Sequence, residues 1–446
     1  MLTTCAVDSV PPLSSQPKVL SPGQVTWRWR ILVSSYLAYA GYYLTRKTFS
    51  ICKTTIAKDL NWELGDTAHL WTAFLAAYTV GMFVHSFIGR RWGPRVLLLG
   101  GLGLSMGCNL VFGFANSFAT FLAFMVFNGL LQASGWPGAV GAVAHWLRPA
   151  ERGTIMGVWS TSYLFGSMLV KSVGGYLLGS WGWRWSFWGC TLLSFGIWWV
   201  VFLWQRNRPQ DVGLEALIEE QPSGKLAVEA SQADHVSLKQ YAQLAANPLI
   251  LAMGASYFFV KFLRYAIDSW LPAFLNLQGL DVARASYYSQ VFDFAGLGGM
   301  LLAGWALDRW FRGNWAALCA CMAVGVVVGY GAVLRFGGSS MGLAICFGLV
   351  GFMLYGPDSL ICGAAAVQVA GERNGVAVAG LVNGLGSIGP VVQEQVIGWL
   401  VRGHAQEGLG NANRLALGVS IAMTALLGLI AWRLSVNRSP RVFRLS

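Results

Sequence analysis

Charge is what this chain lacks. Only 11% of its 446 residues are Asp, Glu, Lys or Arg, against about 25% in an ordinary soluble domain. That shortage, with 55% hydrophobic residues, 21 Trp, 25 Phe and a mean hydropathy of +0.53, excludes a chain whose surface meets water. Acidic residues are scarcer than basic ones, 19 against 31. The resulting net charge of +12 does not point to nucleic acid, because the basic residues sit singly or in short groups between apolar runs, where the positive-inside rule puts them. Disulfide and metal patterns are missing as well. The eight Cys show no framework spacing, Cys319 and Cys321 fall inside an apolar run, and the five His are scattered. No Gly-x4-Gly-Lys-Ser/Thr loop occurs, so nothing supports nucleotide-driven work. The Ser- and Pro-rich start has no apolar core of the secretory type. No cofactor, no metal and no enzymatic constellation are expected.

What is present is a series of long apolar stretches. A spanning helix needs about 20 predominantly apolar residues, and the pattern predicts twelve, near 27–55, 68–89, 94–115, 117–147, 152–179, 185–204, 247–276, 283–307, 314–335, 340–370, 373–401 and 412–434. The fold class expected is therefore all-α and membrane-embedded. The longest polar interruption, 205–246, divides the chain into two six-helix halves, 27–204 and 247–434, with tails 1–26 and 435–446. Arg90, Arg91, Arg95, Arg148, Arg152, Arg206, Arg208, Arg309 and Arg312 crowd the loops on the side that also carries both tails. That side is expected to be cytoplasmic, in a bacterial inner membrane by default. Arg90-Arg91-Trp92 after the second span and Asp308-Arg309-Trp310 after the eighth stand at matching places, as in transporters built from two parallel repeats.

Several charges lie where charge is expensive, since an ionised side chain at mid-bilayer costs at least about 2.5–3.5 kcal/mol. Arg46 and Lys47 fall late in the first span and Arg264 late in the seventh, its equivalent in the other half. Lys261 lies one turn before Arg264 and Asp268 one turn after, and Asp293 lies within the eighth span. Two guanidinium forks suit a phosphate, because each offers planar, bidentate, permanently charged donors. Asp268 and Asp293 are expected to hold or gate these basic groups. Lys53 and Lys171, near span ends, are expected to snorkel to the interface or pair structurally, and Lys47, about 100° from Arg46 around the helix, need not share its site. Tyr39 and Tyr43 share the face of Arg46, and Trp136 and Tyr163 are further aromatic candidates.

Tyr42-Tyr43-Leu44-Thr45-Arg46-Lys47-Thr48-Phe49-Ser50 resembles the first-helix signature of the organophosphate:phosphate antiporters of the major facilitator superfamily. Arg264-Tyr265-Ala266-Ile267-Asp268-Ser269-Trp270-Leu271-Pro272 resembles their seventh-helix signature, and Asn128-Gly129, Gln132, Gly135-Trp136-Pro137, Glu151-Arg152-Gly153, Val158-Trp159, Asp293-Phe294-Ala295-Gly296 and Gly356-Pro357 also fit. The resemblance implies a twelve-helix fold, alternating access, Arg46 and Arg264 as phosphate ligands, and a phosphorylated small molecule exchanged for inorganic phosphate by a protein that works as a monomer among membrane lipids. The chain departs from the glycerol-phosphate type, with Met82 in place of a span-two Lys and Tyr163 in place of a span-five His. Lys261 is expected to restore the missing positive charge, or else to pair with an acid such as Asp293. Asp308 and Arg309 join the gating candidates through the loop motif. Two other readings compete. A membrane sensor of hexose phosphate would keep the same binding residues, whereas efflux of an organic cation would call for an acidic cavity.

Overall fold

The computed structural model describes residues 20–147, 155, 158, 159, 161–215 and 243–436. The predicted features at Lys18, Arg148, Glu151-Arg152-Gly153, Lys225 and Arg438 lie outside them. The helices are α1 Pro22–Asp59, α2 Asp66–Trp92, α3 Pro94–Phe114, α4 Phe118–Gln132, α5 Gly135–Ala144, α6 Ser162–Leu169, α7 Gly175–Trp181 and α8 Trp183–Trp204. After the central segment come α9 Pro248–Leu277, α10 Val282–Tyr288, α11 Gln290–Arg309, α12 Trp315–Phe336, α13 Ser340–Cys362, α14 Ala364–Leu400 and α15 Ala405–Val436. A π turn, Val170–Gly174, joins α6 to α7.

Sequence explains where these helices begin and break. α1 starts at Pro22, earlier than predicted, because Ser21 and Gln24 form a reciprocal capping box and Pro22 needs no hydrogen-bond partner at the first turn. The fourth span is two helices. Pro137 has no N–H for the ladder, and the chain turns at Ala133–Ser134 before α5 resumes. The tenth span stops at Cys362 rather than 370, since Gly363 leaves helical geometry (φ −103°, ψ −101°) and α14 begins at once. Among the described residues, eight helices are long and apolar enough to cross a membrane on length and composition alone. α1 falls outside that group because Arg46, Lys47 and Lys53 interrupt its apolar run.

Buried apolar side chains form two separate cores. One runs from Ile31 to Val201, and the other from Leu244 to Ile430 with Ala68 and Leu164 attached. Within the second core, α11 and α13 meet backbone to backbone. A β-carbon on Gly299 would stand 1.8 Å from the Phe352 carbonyl oxygen. Gly299→Ala is therefore expected to destabilise the protein by at least about 1–3 kcal/mol, the cost of forcing atoms into a packed core. An unchanged thermal midpoint in detergent would show that the two helices can part without cost.

The two halves meet at the end of the bundle away from the start of α1. At the near end, Gln24 of α1 donates to the Glu215 carbonyl of the central segment at 3.1 Å. At the far end α7 lies against α10, and a β-carbon on Gly179 would come within 2.7 Å of the β-carbon of Ala283. All four ion pairs between halves among the described residues, Lys47–Asp268, Lys53–Glu394, Lys171–Asp293 and Arg402–Asp66, lie from the middle of the bundle outward to that far end. The far end is closed.

Candidate functional site

Where the halves meet, α1, α2 and α9 line a small cavity. Tyr43, Arg46, Lys47, Phe74, Tyr78, Arg264, Tyr265 and Asp268 are among its lining residues. Arg46 is held from behind by its own half. Gln132 donates to the Thr45 hydroxyl at 2.7 Å, and Asn128 donates to the Thr45 carbonyl at 3.3 Å, which ties α4 to the turn that presents the guanidinium. The Arg46 guanidinium carbon lies 4.2 Å from the ring centre of Tyr78 and 5.5 Å from those of Tyr43 and Phe74. These faces favour a cation without neutralising it. Among the described residues Arg46 has no carboxylate partner, and its Nε is buried without any hydrogen bond.

Arg264 answers it from the other half with a different environment. Its Nη1 donates to Asp358 Oδ2 at 2.6 Å, and its guanidinium carbon lies 4.7 Å from the Tyr355 ring centre and 5.2 Å from that of Tyr163. Its Nε is again buried and unpartnered. Lys47 does share the cavity, contrary to the helix-angle expectation, because it reaches across the interface to Asp268. Lys261 donates to Asn383 Oδ1 at 2.7 Å and Ser387 Oγ at 2.9 Å, both on α14, so it is not the partner of Asp293. That partner is Lys171, at 2.6 Å, with Ser167 donating to the same carboxylate oxygen at 3.2 Å.

The remaining candidates divide. Tyr163 reaches the site as a ring beside Arg264 and Tyr43. Tyr39 and Trp136 pack against one another and Trp159 in an aromatic cluster behind Tyr43, so they support the cavity wall rather than line it. Asp308 and Arg309 lie away from the cavity. Both are exposed at the end of α11, and among the described residues neither has an ion-pair partner. Lys53 and Lys171 do not snorkel. They are 0% and 2% exposed and pair across the interface.

Sequence reasoning missed Asp358, Glu394, Tyr355 and the pair Asn383 and Ser387. Asp358 and Glu394 were legible by the same rule that found Arg46, since each is an ionisable residue inside an apolar span. Asn383 and Ser387 carry no charge, and one sequence gives no signal for them. Counting Arg46, Lys47 and Arg264 against Asp268, the charged residues that line the cavity carry a surplus of two positive charges. A dianion matches it.

Comparison with known proteins follows the same lines. The Major Facilitator Superfamily model matches residues 35–393. The chain is 28% identical over 365 residues to a probable hexose phosphate transport protein of Chlamydia pneumoniae, covering 78% of this chain and 79% of that protein. It is 29% identical over 363 residues to the membrane sensor protein UhpC of Escherichia coli K12, covering 80% and 82%. In fold it is similar to a bacterial homolog of the human lysosomal transporter Spinster, solved inward-facing and occupied, with a TM-score of 0.73 at 15% identity over 91% of this chain and 97% of that one. With helices throughout its described residues and this match over most of its length, the chain is a multi-pass membrane protein that belongs to the Major Facilitator Superfamily.

Proposed function

We propose that this protein exchanges a phosphorylated small organic molecule for inorganic phosphate across the membrane, by alternately closing its two ends around the cavity. The observation that carries the reading is the pair Arg46 and Arg264. They are contributed one by each half, face one interfacial cavity, and each keeps a buried Nε without a partner. A phosphoryl group offers three oxygens to two such forks, and its double charge offsets the surplus of the site. The binding residues belong to both halves, so a rocking motion that opens one end and shuts the other carries the ligand across while the site persists. The relative from Chlamydia is named for hexose phosphate transport, which supports an ester of this class. Neither ATP nor any covalent step is needed, because opposing gradients drive the exchange. The near end, with the start of α1, faces the cytoplasm in this reading.

Proteoliposomes preloaded with inorganic phosphate are expected to take up labelled phosphate or labelled glucose 6-phosphate, and phosphate-free vesicles are not. Equal uptake with and without internal phosphate would overturn exchange. The similarity to a membrane sensor supports a second reading, in which the same site binds the ester to signal rather than to move it. Saturable binding without any counterflow would decide for the sensor.

A further inference from the structure

We infer that Asp358 is a specificity residue that accepts a hydrogen bond from a hydroxyl on the organic part of the substrate, so that the site prefers hydroxylated phosphate esters to plain alkyl phosphates. The inference rests on the phosphate site proposed above and adds the recognition of what is attached to the phosphate. Asp358 is 7% exposed, on α13 directly after Pro357. One carboxylate oxygen, Oδ2, is held 2.6 Å from Arg264 Nη1. The other, Oδ1, is buried without a hydrogen bond. Buried polar atoms are paired in at least about 90% of cases, and a charged acceptor is among the costliest to leave unmade. Three such orphans are Arg46 Nε and Arg264 Nε, on residues that line the cavity, and Oδ1 of Asp358, the carboxylate bound to Arg264: two donors and one acceptor.

The geometry sorts a ligand between them. Asp358 occupies the Nη1 side of the Arg264 guanidinium, and Nε is left without a hydrogen bond. A phosphoryl dianion is repelled by the carboxylate, so it takes the unbonded Nε edge, in the cavity that Arg46 also lines. Whatever lies beside Asp358 Oδ1 must then be a neutral hydrogen-bond donor. The dianion of a phosphate monoester has no proton on its phosphoryl oxygens, so that donor belongs to the organic part. A hydroxyl meets the requirement, and an alkyl chain would strand the carboxylate oxygen in the complex. Sites built around a hydroxyl discriminate strongly against the analogue that lacks it, for this reason.

The test uses the purified full-length chain in lipid nanodiscs and measures equilibrium binding of glucose 6-phosphate, glycerol 3-phosphate, n-propyl phosphate and inorganic phosphate. The unsubstituted protein is expected to prefer the better hydroxylated ester over n-propyl phosphate by tenfold or more. Asp358→Ala is expected to bring that ratio within about threefold of unity and to tighten inorganic phosphate, whose repulsion by the carboxylate is gone. Asp358→Glu keeps a counter-charge on Arg264 but displaces the oxygen, and is expected to lower the ratio at least threefold while remaining folded. A preference that survives both substitutions overturns the inference, as does equal binding of hydroxylated and plain esters by the unsubstituted chain. Loss of ester, propyl phosphate and inorganic phosphate in one proportion also overturns it, by making Asp358 a support for Arg264 only. A chain that binds none of the four overturns the phosphate site itself, and this inference with it.

Discussion

Arg46→Leu is expected to weaken phosphate binding by at least a hundredfold while leaving the empty protein as stable as before or more so. Arg46 is 8% exposed, aromatic faces lie against its guanidinium, and no described carboxylate pairs with it, since Asp268 in the same cavity is held by Lys47. A bound anion is then its counter-charge. Removing one member of a buried, hydrogen-bonded charge pair costs about 2–5 kcal/mol or more, much of it the penalty of leaving the other charge unpaired. In the empty protein the same substitution removes a desolvated cation and strands nothing. Arg264→Leu is expected to differ, because it leaves Asp358 buried and unpaired and so lowers stability together with binding. Isothermal titration with phosphate and a thermal unfolding scan on both variants separate the two roles. Arg46→Leu protein that binds phosphate within threefold of the parent would remove Arg46 from the site.

The second large effect is expected at Lys53 and Glu394, seven residues or roughly 10 Å farther along α1 from Arg46. Both side chains are fully buried, and the ion pair joins the two halves. Ser269 accepts from Lys53 at 2.7 Å, and the Trp270 indole donates to the other carboxylate oxygen at 2.9 Å while its ring lies 4.0 Å from the ammonium. Breaking such a pair from one side costs about 3–5 kcal/mol, whereas neutralising both sides is often close to neutral. Lys53→Met alone and Glu394→Gln alone are expected to lower the thermal midpoint strongly. The double variant is expected to recover most of the loss, since Gln still accepts from Trp270. Three variants that all melt with the parent would mean that water already reaches the pair.

Much of this was readable in the chain. The helical membrane class, the two cores and the depth of Arg46 and Arg264 follow from hydropathy and from the cost of buried charge. Partner choice was not readable. Asp293 seemed available to Lys261 because both lie within spans, yet Lys171 takes it, and only the packing of α6 against α11 decides that. Lys53 and Lys171 pair structurally, one of the two outcomes their positions allowed, because position along a helix does not say what stands opposite. Lys47 was misjudged for a related reason. An angle around the helix axis places the β-carbon, while a four-carbon stem carries the ammonium to Asp268 on the other half. The break at Gly363 was hidden because the residues around it are small and apolar on both sides.

The π turn between α6 and α7 has a consequence for the phase of the helix that contains it. A π turn closes on the fifth residue instead of the fourth, so it acts as one extra residue slipped into an α-helix, and everything beyond it is rotated by roughly 100°. Before the turn Gly166 points to its own half, where its β-carbon would stand 2.8 Å from that of Tyr43, while Leu164 and Ser167 face the opposite half. Gly175 and Gly179, after it, point to the opposite half, where β-carbons would meet those of Ser286 and Ala283 at 2.7 Å each. One helix thus touches both halves along its length, and Lys171 sits within the turn, its carbonyl accepting from Ser286 and its ammonium bound to Asp293. A helical wheel drawn straight through residues 162–181 would leave out that offset of roughly 100° in the residues after the turn.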